Sequence, residues 1–243
     1  MEGRPIVALG GGRVIDSAKA IAGADGLRCA AIPTTLSGAE MTAFHRMPAE
    51  VDEFRLVRPS LVIAEPRLMT SAPMPGLAAS AMNALAHAIE ALYTPLANPV
   101  SDEAAVVACS LLSGEGEQLA LGATLAGYAG GVAGFAVHHA VCQTIVRVAG
   151  TPHAQTNAVM LPHFVRMMEP RAPDAIARVV QALGGRDVGE LTARAGVARL
   201  SELGIERQAL DPLADAAIQH PAVGNTPDPP SRHELREVLE RAV

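Results

Sequence analysis

The sequence predicts a short α/β segment followed by an all-helical one. Two observations carry this. Up to Ala64, apolar runs of strand length alternate with a helix-length stretch, the pattern of a parallel sheet. Beyond Pro73 and Pro75 only helix-length candidates follow, punctuated by Pro and Gly. The expected domains are therefore 1–72 and 73–243. With 243 residues, 49% of them apolar, the chain can bury a sizeable core, and 18% charged residues exclude a disordered class.

The elements read in order. Ile6–Leu9 is a buried strand that runs into Gly10-Gly11-Gly12, and a helix covers about 14–22. Ala30–Ile32 is a second strand, ended by Pro33, and Leu61–Ala64 a third, ended by Glu65-Pro66. Residues 43–59 are polar and irregular, a hairpin or loop. Helices are expected at 76–93, 99–112, 117–147, 152–168, 173–183, 187–203, 210–218 and 232–242. Ser231 and Glu234 form a capping box for the last of these.

Composition narrows the function. A net charge of -6 and 2% aromatic residues lack the basic stripe and stacking rings of a nucleic-acid binder. Cys29, Cys109 and Cys142 are widely spaced without a CxxC, so a reducing compartment is the expectation. The N-terminus has no apolar signal region, which points to a cytoplasmic protein. Residues 118–146 carry no acidic or basic side chain, yet they are rich in Ala and Gly and contain His138 and His139. A buried helix is expected there rather than a membrane span. The small residues Ala123, Gly127 and Gly131 would let another backbone approach closely.

Three constellations can carry chemistry. First, the Gly10-Gly11-Gly12 turn between strand and helix can cradle a phosphate, and Thr34-Thr35 after the next strand opens on the same crevice. A plain strand-to-helix turn fits equally well. Second, Ser80, Asn83, His87 and Glu90 form one polar stripe on an apolar helix, facing either water or a site. Third, His139 and His153 lie on adjoining helices. With His87 and Asn83 they offer three imidazoles and an amide, a plausible set for a divalent metal ion. The alternative is that each is a satisfied core histidine. His45, His163, His220 and His233 read as structural or surface residues.

Together these segments resemble the iron-containing alcohol dehydrogenase family, and most closely its maleylacetate reductase branch. The matching stretches are Val7–Ala20, Ile32–Thr42, Met82–Tyr93, Val137–Cys142, Thr151–His163 and the region near Asn225-Thr226-Pro227, in the family's order. The resemblance implies a partial dinucleotide-binding α/β domain followed by an all-α domain, the dehydroquinate synthase-like arrangement. It implies an NAD(P)-dependent oxidoreductase acting on a small oxo-acid, aldehyde or alcohol, with a homodimer expected. Gly10, Gly11 and Gly12 would hold the NAD(H) or NADP(H) pyrophosphate, Asp16 and Lys19 would lie close by, and Thr34 and Thr35 would line the cleft. Metal-using relatives hold Fe2+ or Zn2+ through an Asp and three His, which map to Asn83, His87, His139 and His153. In the reductase branch, which also carries Asn there, His87, His138, His139 and His153 would act as proton donors and oxyanion partners instead.

Some positions depart from that pattern. Asn83 replaces an anionic ligand, Gln143 stands where a further His is usual, Arg13 follows the glycines, and Ala39 precedes Glu40. The family's preceding α/β unit, with the acidic residue for the adenosine ribose, has no counterpart. An N-terminally shortened chain with an open sheet edge and weakened cofactor affinity is therefore expected. Two other readings stay open: a non-redox lyase or hydrolase that uses the same histidine pocket, and a catalytically inactive remnant.

Overall fold

The computed structural model describes residues 3–46, 51 and 55–243. Strands β1 (Ile6–Gly10), β2 (Cys29–Pro33) and β3 (Leu61–Val62) form a parallel sheet in that order. Helix α1 (Gly12–Asp25) makes the crossover from β1 to β2. Its Ile15, Ala18 and Ala22 pack on Ala8, Cys29 and Ala31, which share the sheet face beneath it. The hairpin or loop expected over 43–59 falls partly on 47–50 and 52–54, outside the described residues.

Among the described residues, no helix lies over the opposite face of the sheet. Register aligns Val7 with Ala30 and Leu61, and Leu9 with Ile32. Val7 and Leu9 are 62% and 60% exposed, and Leu61 and Ile63 are exposed beside them. Parallel sheets are ordinarily covered on both faces, so this apolar layer is unusual. Among the described strands β1 and β3 lie at the two sides of β2.

The rest of the chain is helical. The short α2 (Pro66–Met69), absent from the sequence reading, precedes α3 (Gly76–Ala91). Then come α4 (Pro99–Leu112), α5 (Gln118–Ala133), α6 (Val137–Ala149), α7 (His153–Met168), α8 (Pro173–Ala182), α9 (Val188–Ala193), α10 (Leu210–Ile218) and α11 (Arg232–Ala242). Nearly every residue of α3 from Ala78 on is buried, because α4, α5 and α7 pack around it. Asn98 caps α4, and Ser231 with Glu234 forms the expected box at α11.

Two helix expectations need correction. The stretch 117–147 is two helices that meet at an angle of 100°. Gly134 (φ 83°) makes the break, since a positive φ there costs a glycine little. The break places His138 and His139 in the first turn of α6 instead of mid-helix. The stretch 187–203 is α9 and a separate 3-10 turn, Leu200–Leu203. Among the described residues no single helix is long and apolar enough to cross a membrane.

Candidate active site

The glycine turn and the loop after β2 are built against each other. A Cβ at Gly11 would lie 3.0 Å from the Thr35 side chain, and one at Gly12 would lie 3.0 Å from Ser37 Oγ. Thr34 N–H donates to Gly10 O at 3.0 Å. No side chain caps the N-terminus of α1, and Thr35 Oγ1 is buried without a hydrogen-bond partner. An orphaned hydroxyl beside an uncapped helix N-terminus suits a phosphate group, which accepts from both.

Lys19, expected close to the glycine turn, has its ammonium engaged within the protein. Lys19 is fully buried. Its ammonium donates to Ala39 O at 2.9 Å, Phe44 O at 2.7 Å and Thr42 O at 3.3 Å, so its three protons are taken, and it pairs with the Asp16 carboxylate at 2.8 Å. Lys19 therefore ties α1 to the 39–44 segment, with no donor left for a ligand. Burial lowers its pKa, and Asp16 opposes that shift. Glu40, beside it, is also buried with both carboxylate oxygens unpartnered, and burial raises its pKa to about 7.

The polar stripe on α3 faces inward, not water. Ser80 Oγ accepts Leu36 N–H at 3.1 Å and holds the β2 loop to α3. Asn83 and His87 are buried, and Asn83 Oδ1 and His87 Nδ1 find no partner. Glu90 closes the stripe against α6. Its Oε1 accepts the N–H groups of His138 (2.7 Å) and His139 (3.3 Å), and its Oε2 lies 2.6 Å from His139 Nδ1. The Gly134 bend turns these free first-turn N–H groups toward α3.

The structure brings His87 and His139 together, with ring centroids 4.4 Å apart. Phe135 stacks on both, at 5.1 Å and 4.6 Å, and Phe44 lies 4.9 Å from Phe135. His139 Nε2 is buried and unpartnered. His153, at the start of α7, stands at the exposed rim; Asp16 and Arg13 of the glycine-turn helix act on its charge, and it acts on His87 and His139. Burial keeps the His87 and His139 imidazoles neutral at neutral pH. His87 is pushed well below its ordinary value by burial and then by His139, and His139 falls to about 3 through burial and then His153.

His138 departs from the expected catalytic set. Its Nε2 faces Asn157 O at 3.3 Å and its ring meets Phe164 edge-on at 5.5 Å, so it packs in the α6–α7 interface. Neighbouring residues on a helix point about 100° apart, so both cannot face His87. Gln143 pairs with His220 at 3.3 Å. Thr226 Oγ1 accepts Val137 N–H, and Asn225 donates to Phe135 O, so the C-terminal region braces the α5–α6 bend. Sequence reasoning placed Glu90 on the stripe but missed its contact with His139, since their separation of 49 positions leaves no local signal.

The donor chemistry fits a divalent cation. Asn83 Oδ1, His87 Nδ1 and His139 Nε2 are buried atoms without partners, with His153 at the rim, and imidazole ligands suit zinc or iron. Among the described residues, the three His, Cys, Asp or Glu that place candidate ligand atoms within 4.8 Å of one another are Glu90, His138 and His139, not His87, His139 and His153. There, however, both Glu90 oxygens are already engaged, so that group is a hydrogen-bond network rather than an open ligand set.

Residues 77–243 match the model of the Fe-containing alcohol dehydrogenase family, C-terminal. The chain is similar to maleylacetate reductase 1 of Rhodococcus opacus, at 35% identity over 98% of this chain and 72% of that protein. It is also similar to maleylacetate reductase of Burkholderia cepacia, at 33% identity over 97% and 73% respectively. Among solved structures it resembles maleylacetate reductase from Agrobacterium tumefaciens, with a TM-score of 0.88 and 32% identity over 97% of this chain and 73% of that one. An iron-containing alcohol dehydrogenase from Corynebacterium glutamicum matches at TM-score 0.88 and 31% identity, over 98% and 73%.

Proposed function

This chain belongs to the iron-containing alcohol dehydrogenase family of oxidoreductases, and from that premise we propose that it is an NAD(P)H-dependent reductase of a small oxo-acid of the maleylacetate kind. The observation that carries the reading is the paired His87 and His139, buried together with ring centroids 4.4 Å apart.

Gly11, Gly12 and Thr35 would receive the cofactor pyrophosphate, through backbone N–H groups and the free Thr35 hydroxyl. The nicotinamide, when bound, supplies hydride. Phe135 and the ring of His87 wall the site and exclude water. The neutral His87 ring can donate a hydrogen bond to the oxygen where negative charge develops. His139, with Nδ1 committed to Glu90, presents Nε2 as an acceptor. His153, exposed at the rim near Asp16, is placed to exchange protons with solvent. Where a divalent cation is bound instead, Asn83, His87, His139 and His153 would hold it, and it would polarise the substrate oxygen in place of these hydrogen bonds.

The test follows NADH and NADPH oxidation with maleylacetate in the purified chain, with binding of each cofactor measured by calorimetry. His87→Ala should lower kcat at least about 100-fold with little change in cofactor affinity. Thr35→Val, which removes only the hydroxyl, should weaken cofactor binding about tenfold. No binding of either cofactor at millimolar concentration would refute the reading.

A further inference from the structure

We propose that Glu90 is a positioning residue that fixes His139 in its Nδ1–H tautomer and so presents a bare Nε2 to the site. The inference deepens the functional reading above and starts from the contacts of the Glu90 carboxylate. One carboxylate does two jobs. Oε1 accepts the backbone N–H groups of His138 and His139 at 2.7 and 3.3 Å, which terminates α6 where no local side chain caps it. Oε2 lies 2.6 Å from His139 Nδ1. Burial pushes the Glu90 carboxyl up, and the two N–H groups that face Oε1 at the positive end of α6 oppose that shift and favour the ionised form. An ionised carboxylate only accepts, so the proton between the two groups sits on Nδ1.

The consequence is at the other end of the ring. A neutral imidazole with its hydrogen on Nδ1 carries a lone pair on Nε2. His139 Nε2 is buried and meets no partner. Its neighbour supplies an internal contrast. His138 Nε2 faces the carbonyl of Asn157, which only accepts, so His138 holds its proton on Nε2. Adjacent histidines on one helix are thus held in opposite tautomers, each by a different acceptor. Carboxylates that orient a working imidazole in this way are a common means of raising its basicity.

Glu90→Gln separates the two jobs. The Gln carbonyl oxygen can still accept the α6 N–H groups, while its amide N–H2 faces Nδ1 and can only donate. The proton should then move to Nε2, and the bare nitrogen should turn away from the site. The experiment is long-range proton–nitrogen correlation NMR on the full chain with 15N-labelled histidine and chelator present, with the His139 signals assigned by their loss in His139→Gln. The wild-type protein should show a bare Nε2 and a protonated Nδ1, and Glu90→Gln should exchange the two signals while keeping the His138 tautomer and the melting temperature within a few degrees. A wild-type His139 protonated on Nε2 would overturn the proposal without any need for the variant, and so would an unchanged tautomer in a folded Glu90→Gln. Because neither measurement uses cofactor or substrate, a failed reductase assay would leave this inference standing, and its own failure would leave the assay untouched.

Discussion

Gly38 and Gly127 meet backbone to backbone, the first in the loop after β2 and the second on α5. A Cβ at Gly127 would fall 2.8 Å from Gly38 Cα, and a Cβ at Gly38 would fall 3.2 Å from His87 Nδ1. The contact fixes how far the glycine-turn loop stands from the histidine cluster. Gly131, one turn on, does the same against the Met41 carbonyl. The helix therefore carries small residues on this stripe because a loop backbone lies on it.

Gly127→Ala should push that loop off α5 and destabilise the chain by about 1–3 kcal/mol, the usual cost of overpacking. Gly38→Ala should cost more, since its φ of 71° adds roughly 1 kcal/mol for a residue with a Cβ. Urea denaturation of both variants checks the order. Wild-type stability in either would show that the two segments do not touch.

Lys19 organises the same loop from the other side. Lys19→Met keeps most of the volume but leaves the Ala39 and Phe44 carbonyls without their donor and Asp16 without its partner. A loss of about 2–4 kcal/mol is expected. Hydrogen exchange should speed up across 39–44 before it does so in α3. Exchange that rises evenly over the whole chain would argue against a local tie.

Glu40 makes stability depend on pH. Burial raises its folded value to about 7 from an ordinary 4.5, so the folded state holds a proton that the unfolded state has released. The favourable contribution is complete below the unfolded value of 4.5 and is lost as pH rises through about 7. Glu40→Gln mimics the protonated form. It should gain on the wild type by up to roughly 3 kcal/mol at pH 8 and by nearly nothing at pH 4. Parallel pH–stability curves for the two proteins would rule out a buried titration at this position.

Much of the fold was legible because its signals are local. Gly10–Gly12 between a strand and a helix, Pro33 after a strand, and Ser231 with Glu234 before a helix each act within a few residues, and each stands where expected. The bend at Gly134 was not legible. A glycine inside an apolar run can be helical or left-handed, and only the packing of α6 against α7 and α10 decides between them.

The sequence by itself determined the α/β-then-helical order, the membership in the iron-containing alcohol dehydrogenase family, and the candidate residues His87 and His139, whose rings meet in the fold. The tertiary structure decided what each can do. It turned Lys19 into a buried tie, took His138 out of the cluster, and set the Glu90 carboxylate 2.6 Å from His139. The reason is physical. Local propensity and motif order are written along the chain, whereas the partner of a buried polar atom depends on which distant segment folds against it. A buried hydrogen bond is set by that neighbour alone.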